Sequence, residues 1–177
     1  TSGRDEVTLR WATASEQNNS GFEVQRRSAG RWEKLAFVEG AGTTSDPQTY
    51  RFRDSALPFA DSLVYRLRQV DVDGRAEFSP TVVVGRGSGT AVQLVAPFPN
   101  PTRQRATVRY VVPDGGAQPV RLDVYNLLGQ RVATLVREPK TSGREEIVLD
   151  ASGWASGTYF LRLQVGGAMR TERLTVV

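Results

Sequence analysis

Gly153-Trp154-Ala155-Ser156-Gly157-Thr158-Tyr159-Phe160-Leu161-Arg162-Leu163 is the stretch whose reading decides the fold. Ser156-Gly157 has the composition of a turn. From Thr158 onward, Tyr159, Leu161, Leu163 and Val165 fall on one face, while Thr158, Arg162 and Gln164 fall on the other. Successive side chains of a strand point to opposite faces, so this pattern predicts a strand with one dry and one wet face. Gly166-Gly167 then reverses the chain into Met169 to Val177. The apolar face of that hairpin needs a second sheet to cover it.

Upstream of this hairpin the same alternation predicts strands at Val92 to Val95, Ala106 to Val112, Val120 to Asn126, Arg131 to Val136 and Arg144 to Leu149, separated by Gly- and Pro-rich turns. In Leu127-Leu128-Gly129-Gln130 the glycine is expected at the positive-φ position of the turn, which a side chain would oppose. Seven strands at this spacing make an Ig-like sandwich. The first half predicts six strands: Glu6 to Ala12, a strand around Phe22 and Val24, Trp32 to Glu39, Tyr50 to Arg53, Leu63 to Val72 and Ala76 to Val84. Gly40 to Pro47 has the composition of a loop, and Asp73-Gly74 is a hairpin signal. With no helical period anywhere, the fold class is all-β: two tandem Ig-like or fibronectin type III-like β-sandwiches. The boundaries are residues 1–85, a Gly/Ser linker at 86–90, and residues 91–177. A chain of 177 residues fits two such domains comfortably.

Composition removes whole classes of chemistry. Cysteine and histidine are both absent, so no disulfide, thiolate nucleophile, histidine general base or histidine-ligated metal can be built from these residues. Carboxylates, hydroxyls and arginines remain, and no catalytic, cofactor-binding or metal-binding residue is assigned. The chain is expected not to be an enzyme and to need no cofactor. No run approaches a membrane span, and Thr1-Ser2-Gly3-Arg4 lacks signal-peptide character, which fits either a removed signal or, the favoured reading, the C-terminal piece of something longer. The net charge of +4 is unevenly placed: residues 1–89 carry 12 basic and 12 acidic side chains, residues 90–177 carry 11 and 7. A basic face on the second half suits secretion machinery, an anionic surface polysaccharide or a neighbouring subunit. The arginines do not interleave with a stacking aromatic surface, so nucleic acid is not expected as a partner.

Several sharper readings have plainer competitors. Asp71-x-Asp73-Gly74 lacks the downstream ligands of a calcium loop and reads as a hairpin turn. Glu138, Glu145 and Glu146 read as solvated charges, because strand neighbours point to opposite faces and cannot share a substrate. Trp11 alternates with apolar residues and is expected in the core, whereas Trp32 and Trp154 lie beside turns, where a sugar-stacking platform is the alternative.

Three landmarks together name a family. Pro97-Phe98-Pro99-Asn100-Pro101-Thr102, then Val124-Tyr125-Asn126-Leu127-Leu128-Gly129-Gln130-Arg131-Val132, then Ala155-Ser156-Gly157-Thr158-Tyr159 occur in that order and spacing. They resemble the C-terminal sorting domain, type A, of the Bacteroidetes type IX secretion system, from about Ala91 to Val177. Many members end on a basic residue, whereas here the last residues are Arg173-Leu174-Thr175-Val176-Val177. The matched positions Pro99, Asn100, Pro101, Gly129, Ser156, Gly157 and Tyr159 would then carry structural and recognition roles. Leu9 to Arg26 and Tyr65 to Gly74 resemble the fibronectin type III-like domains that often precede such sorting domains. Their first strand is missing or truncated here, because only six residues precede Val7. Asp54-Ser55-Ala56 and Asp61-Ser62-Leu63 resemble the Asp-(Ser/Thr)-apolar acceptor of O-glycosylation in this phylum, which would make Ser55 and Ser62 acceptors.

The resemblance implies a non-catalytic C-terminal region of a secreted or surface protein. It would direct type IX export through the periplasm to the outer-membrane surface or the extracellular space, with the secretion machinery as partner. Two alternatives stand beside it. One is a structural subunit of an extracellular filament or sheath, a homo-oligomer in which one chain donates a strand to the next. The other is an accessory module of a polysaccharide-active enzyme.

Overall fold

The computed structural model describes residues 6–177 as strands and connecting turns, with no helix among them. The chain divides into two compact units, the first ending at Arg86 and the second running from Gly87 to Val177.

The first unit contains β1 (Val7–Thr13), β2 (Glu16–Ser28), β3 (Arg31–Thr44), β4 (Gln48–Asp54), β5 (Ser62–Asp71), β6 (Ala76–Phe78) and β7 (Val82–Gly85). β1 and β4 form a two-stranded antiparallel sheet; the other sheet runs β3-β2-β5 with β6 and β7 both paired to β5. Strand β1 therefore has one strand neighbour among the described residues. The expectation of a missing or shortened first strand concerns residues ahead of Val7, and Thr1 to Asp5 lie outside the described residues.

Two expectations for this unit need correcting. Gly40 to Thr44 is strand, not loop: β3 continues to Thr44 and pairs with β2 down to Glu16. Glycine-rich composition is misleading here, since a Cβ at Gly40 would lie 2.6 Å from the Asn19 side chain. Gly40 thus marks a close approach within a strand. The single strand expected over Ala76 to Val84 is two short ones, interrupted at Ser79-Pro80-Thr81. Proline cannot donate to the ladder, and the Ser79 hydroxyl accepts a bond from the Leu67 amide at the break instead, 2.9 Å long. The Asp73-Gly74 turn is present: Gly74 has φ of +86°, and the Asp73 carboxylate accepts the Arg75 amide.

The second unit contains β8 (Gln93–Phe98), β9 (Arg105–Val112), β10 (Gln118–Asn126), β11 (Arg131–Lys140), β12 (Gly143–Asp150), β13 (Gly157–Val165) and β14 (Ala168–Val176). Its sheets are ordered β11-β10-β13-β14 and β12-β9-β8, all antiparallel. The alternation that began the sequence argument holds in space: Tyr159, Leu161, Leu163 and Val165 are buried and Phe160, Arg162 and Gln164 are exposed. They meet Val120, Leu122 and Val124 of β10, Val108 and Val112 of β9, and Leu174 and Val176 of β14 in one continuous core. Trp154 packs against that core with its ring 4.8 Å from Tyr159.

Candidate recognition end of the second unit

Antiparallel pairing gathers three chain turns at one end of the second unit: 99–104 between β8 and β9, 127–130 between β10 and β11, and 151–156 between β12 and β13. Val177 joins them, because Thr102 makes a parallel bridge to Val176. The Thr102 amide donates to the Thr175 carbonyl and the Val177 amide donates to the Thr102 carbonyl, each at 2.9 Å. All three sequence landmarks therefore contribute to one end, although they lie far apart along the chain.

Asn100 is the fastener. Its Nδ2 donates to the Arg173 carbonyl at 2.8 Å and its Oδ1 accepts the Thr175 amide at 2.9 Å. One side-chain amide supplies a donor and an acceptor at once, as a peptide group of a neighbouring strand would. It satisfies part of the outer edge of β14, which has strand β13 on its other side. Aspartate has no donor and could make only half of this contact. Pro99 and Pro101, both after cis peptide bonds, flank it and are exposed.

At the second turn Gly129 has φ of +74°, the left-handed conformation expected for it. Asn126 folds the turn with its own side chain, Oδ1 accepting the amides of Leu128 and Gln130 at 3.0 Å each. This leaves Leu127 and Leu128 at the tip, 70% and 82% exposed, with Phe98 at 76% on the same end. Turn tips are normally polar, so three bare apolar side chains here point to a contact surface. Sequence reasoning missed the roles of this pair and of Asn126; the signal that could have found them is a Leu-Leu dipeptide inside a turn.

The third turn is held by Tyr159, whose hydroxyl donates to the Ala155 carbonyl at 2.8 Å. Tyr159 is buried, so its part is to pin the 151–156 loop rather than to touch a partner. Ser156 is exposed. A Cβ at Gly157 would meet nothing within 4 Å, so neither space nor backbone demands glycine there.

The basic face proves more tightly organised than the arginine count suggested. On the outer side of β10, Asp123 is buried and accepts the Thr134 hydroxyl at 2.6 Å and the Tyr125 hydroxyl at 3.2 Å, and pairs with Arg121 at 2.6 Å. Burial alone would raise its carboxyl, but these partners hold it below the usual range. Arg162 lies over the Tyr125 ring, 4.3 Å from its centroid, and donates to the Tyr125 hydroxyl. Arg121 and Arg162 are thereby committed to the face itself. Glu138 and Glu145 both pair with Lys140, and Glu146 pairs with Arg109, as solvated charges do.

In the first unit the expected acceptors differ. Ser55 and Ser62 are both exposed, yet Asp54 is buried, accepting from Arg26 at 2.6 Å and from the Tyr65 hydroxyl at 2.8 Å. Asp61 is exposed. Trp11 is half-buried, stacked on Tyr50 and edge-on to Phe22 at 5.6 Å each, while Trp32 is covered by Arg66 at 4.1 Å. No group of three or more metal-ligating side chains occurs among the described residues, and no helix there is long and apolar enough to cross a membrane.

What the strands of this unit define is a β-sandwich module of seven antiparallel strands. Residues 96–177 match the family described as the secretion system C-terminal sorting domain, and the resemblance to the type IX sorting domain holds over that stretch. No curated protein sequence matches the chain. Among solved structures, dimeric latent PorU from Porphyromonas gingivalis is 19% identical with a TM-score of 0.39, over 98% of this chain and 18% of that one. The chicken CNTN1 FN1-FN3 domains are 14% identical with a TM-score of 0.34, over 99% of this chain and 63% of theirs. The fibronectin(III)-like modules of Clostridium thermocellum CbhA are 14% identical with a TM-score of 0.31, over 96% of this chain and 85% of theirs. The chain thus spans less than a fifth of the PorU chain. A sorting domain of this family marks its protein for type IX export to the cell surface or the extracellular space.

Proposed function

We propose that the chain is the non-catalytic C-terminal region of a larger exported protein. The second unit is its export signal, and the first is a fibronectin type III-like spacer between that signal and the cargo. The observation that carries this reading is the family match over residues 96–177, with its three motifs gathered at one end. On this reading the exposed rim of that end, Phe98, Pro99, Pro101, Leu127, Leu128 and Ser156, meets the secretion machinery, while Asn100, Gly129 and Tyr159 hold the rim in shape. After export the domain is removed or supports attachment at the surface, where the exposed arginines of the second unit suit an anionic polysaccharide. Ser62 is the better acceptor of the two glycosylation candidates, since Asp61 is exposed and Asp54 is buried. Neither the family match nor the structural neighbours support the filament or the polysaccharide-enzyme module.

The test is a reporter fused ahead of residue 87 and expressed in a type IX-competent host. The fusion should reach the surface, and Leu127→Ser/Leu128→Ser should leave it in the periplasm with unchanged circular dichroism and melting. Deleting Ala168 to Val177 should also block export, but that removes the buried Leu174 and Val176 and so unfolds the module. Normal surface display of the folded double variant sinks the rim assignment; periplasmic retention of the parent fusion sinks the export reading itself.

A further inference from the structure

We propose that the outer face of the sheet β11-β10-β13-β14 binds an acidic polysaccharide, whose carboxylate or sulfate groups lie along a diagonal line of arginines. This rests on the surface-attachment part of the reading above and names its contacts. It does not depend on how export is signalled.

The strand register lays this face out in rows. In the first, Arg137 stands across from Arg121, Arg121 from Gln164, and Gln164 from Met169. The second row is Thr134, Asp123, Arg162 and Thr171, and the third is Arg131, Tyr125, Phe160 and Arg173. Arginine therefore moves across the sheet from row to row: Arg137 and Arg121, then Arg162, then Arg173. With neighbouring strands about 4.8 Å apart and same-face residues about 6.8 Å apart along a strand, the line is roughly 20 Å long, with Arg131 beside it. Its charge is of one sign. Asp123 is the one carboxylate in these rows, and it is buried, with Thr134, Tyr125 and Arg121 already on it. Arg131, Arg137 and Arg173 are exposed and have no ion-pair partner among the described residues. Arg121 and Arg162 are held by Asp123 and by the Tyr125 ring, so a ligand meets them already oriented. Beside Arg137 and Arg121 the face dips into a hollow of about 360 Å³, lined also by Pro119, Pro139 and Gln164 and bordered by Glu138, which is paired with Lys140.

Charge complementarity calls for an anion, and the spacing of the arginines along one line calls for an anion that repeats its charge along a chain. Guanidinium groups pair with carboxylate or sulfate oxygens through two parallel hydrogen bonds, which a fixed arginine offers in a fixed direction. Between the arginines, the exposed side chains of Gln164 and Thr171 are neutral and can both donate and accept, as sugar hydroxyls require. Phe160 adds an exposed ring for the apolar C–H side of a sugar. An acidic polypeptide fits less well: β10 and β13 are each paired on both sides, so the middle of this face offers no backbone ladder to a peptide. A single-stranded nucleic acid needs open aromatic faces on which bases stack, and the Tyr125 ring is covered by Arg162. The occupant that matches charge, line and hydrogen bonding together is an acidic polysaccharide.

The experiment titrates the purified full chain with polygalacturonate, dextran sulfate and neutral dextran, and with poly-glutamate and poly-dT as competing polyanions, at physiological salt. Polygalacturonate or dextran sulfate should bind saturably and shift the amide resonances of Phe160, Arg162, Gln164 and Thr171; which of the two binds tighter tells carboxylate from sulfate as the preferred charge. Neutral dextran should not bind. The exposed triple variant Arg131→Ser/Arg137→Ser/Arg173→Ser should weaken binding at least about tenfold with unchanged melting. Arg27→Ser/Arg31→Ser/Arg51→Ser, equally exposed and of equal net charge but in the first unit, should leave it within about twofold. If the first triple variant melts early, the resonance shifts of the parent chain still place the ligand. Lack of binding by both acidic polysaccharides, equal loss in the two triple variants, resonance shifts confined to other faces, or tighter binding of poly-glutamate or poly-dT would each overturn the proposal. Because binding is measured on purified chain, its failure leaves the export reading, which is tested in cells, untouched.

Discussion

Between its two sheets the second unit buries a continuous set of Val, Leu, Tyr and Ala side chains from all seven strands, whereas the first unit's apolar cluster centres on Val7, Leu63 and Tyr65. The interior of the first unit is completed by polar groups instead. Glu16, Asn19, Gln25, Arg26 and Asp54 are all buried there. Glu16 accepts the hydroxyls of Tyr50 and Thr13 and the side chain of Asn19, while Asp54 ties Arg26 to Tyr65. Apolar burial is non-directional and tolerant, whereas a buried hydrogen-bonded cluster is strong only while every member is present. Two sandwiches of one fold class can therefore respond to the same insult in opposite ways.

The largest effect should come from cutting into the apolar core. Leu163→Ala removes a fully buried side chain of β13 and should cost the second unit about 2–5 kcal/mol, leaving the first unit's transition in place. Denaturant unfolding followed by residue-resolved NMR separates the two units; a shift in both would mean that they are not independent. Next is Asp54→Ala, which strips Arg26 of its closest carboxylate inside the first unit, at a cost of about 3 kcal/mol. Replacing the pair by Arg26→Met with Asp54→Leu should recover most of that loss, and failure to recover would show that the cluster does more than fill space.

Acid sharpens the contrast. Burial of Glu16 would raise its carboxyl, but bonds from Tyr50, Thr13, Asn19 and the Ala41 amide outweigh this and hold it at about 2, against 4.5 ordinarily. The same contact pushes the Tyr50 phenol up to about 12, with burial the larger cause. Because the folded carboxyl is depressed, its stabilisation is complete above about pH 4.5 and disappears as pH falls towards about 2. The loss amounts to about 3 kcal/mol. Asp123 is shifted in the same direction, so acid weakens both units. Glu16→Gln should flatten the pH dependence of the first unit only, as read from urea midpoints across this window. Asn100→Ala should cost the second unit about 1 kcal/mol and speed amide exchange at Thr175. Smallest is Glu146→Gln, which breaks an exposed pair with Arg109 and should move stability by less than about 0.5 kcal/mol.

The second unit is legible because its dry faces are apolar at every other residue, as from Tyr159 to Val165, and period two needs no knowledge of partners. In the first unit the period is hidden. Val24, Gln25 and Arg26 are buried in succession, at a register shift where β3 carries an extra residue, Leu35, opposite β2. Buried Glu16 and Asn19 carry no hydrophobic signal at all, which is why sequence alone points to a strand only around Phe22 and Val24. At the recognition end, Asn100 and Gly129 stand out in the sequence as positions but not as contacts. Asn100 meets Thr175 across 75 residues of chain, a pairing that only the closed sandwich creates.

Asn100 has a further consequence, which concerns time. Its partners, Arg173 and Thr175, follow it by 73 and 75 residues, and the buried Leu174 and Val176 close the core on the same strand. A chain growing from its N-terminus can fold the first unit early, but cannot assemble this end until Val176 has been synthesised. A prematurely terminated polypeptide therefore lacks the surface altogether, and any receptor that recognises the assembled end inspects, in the same act, whether translation reached that residue.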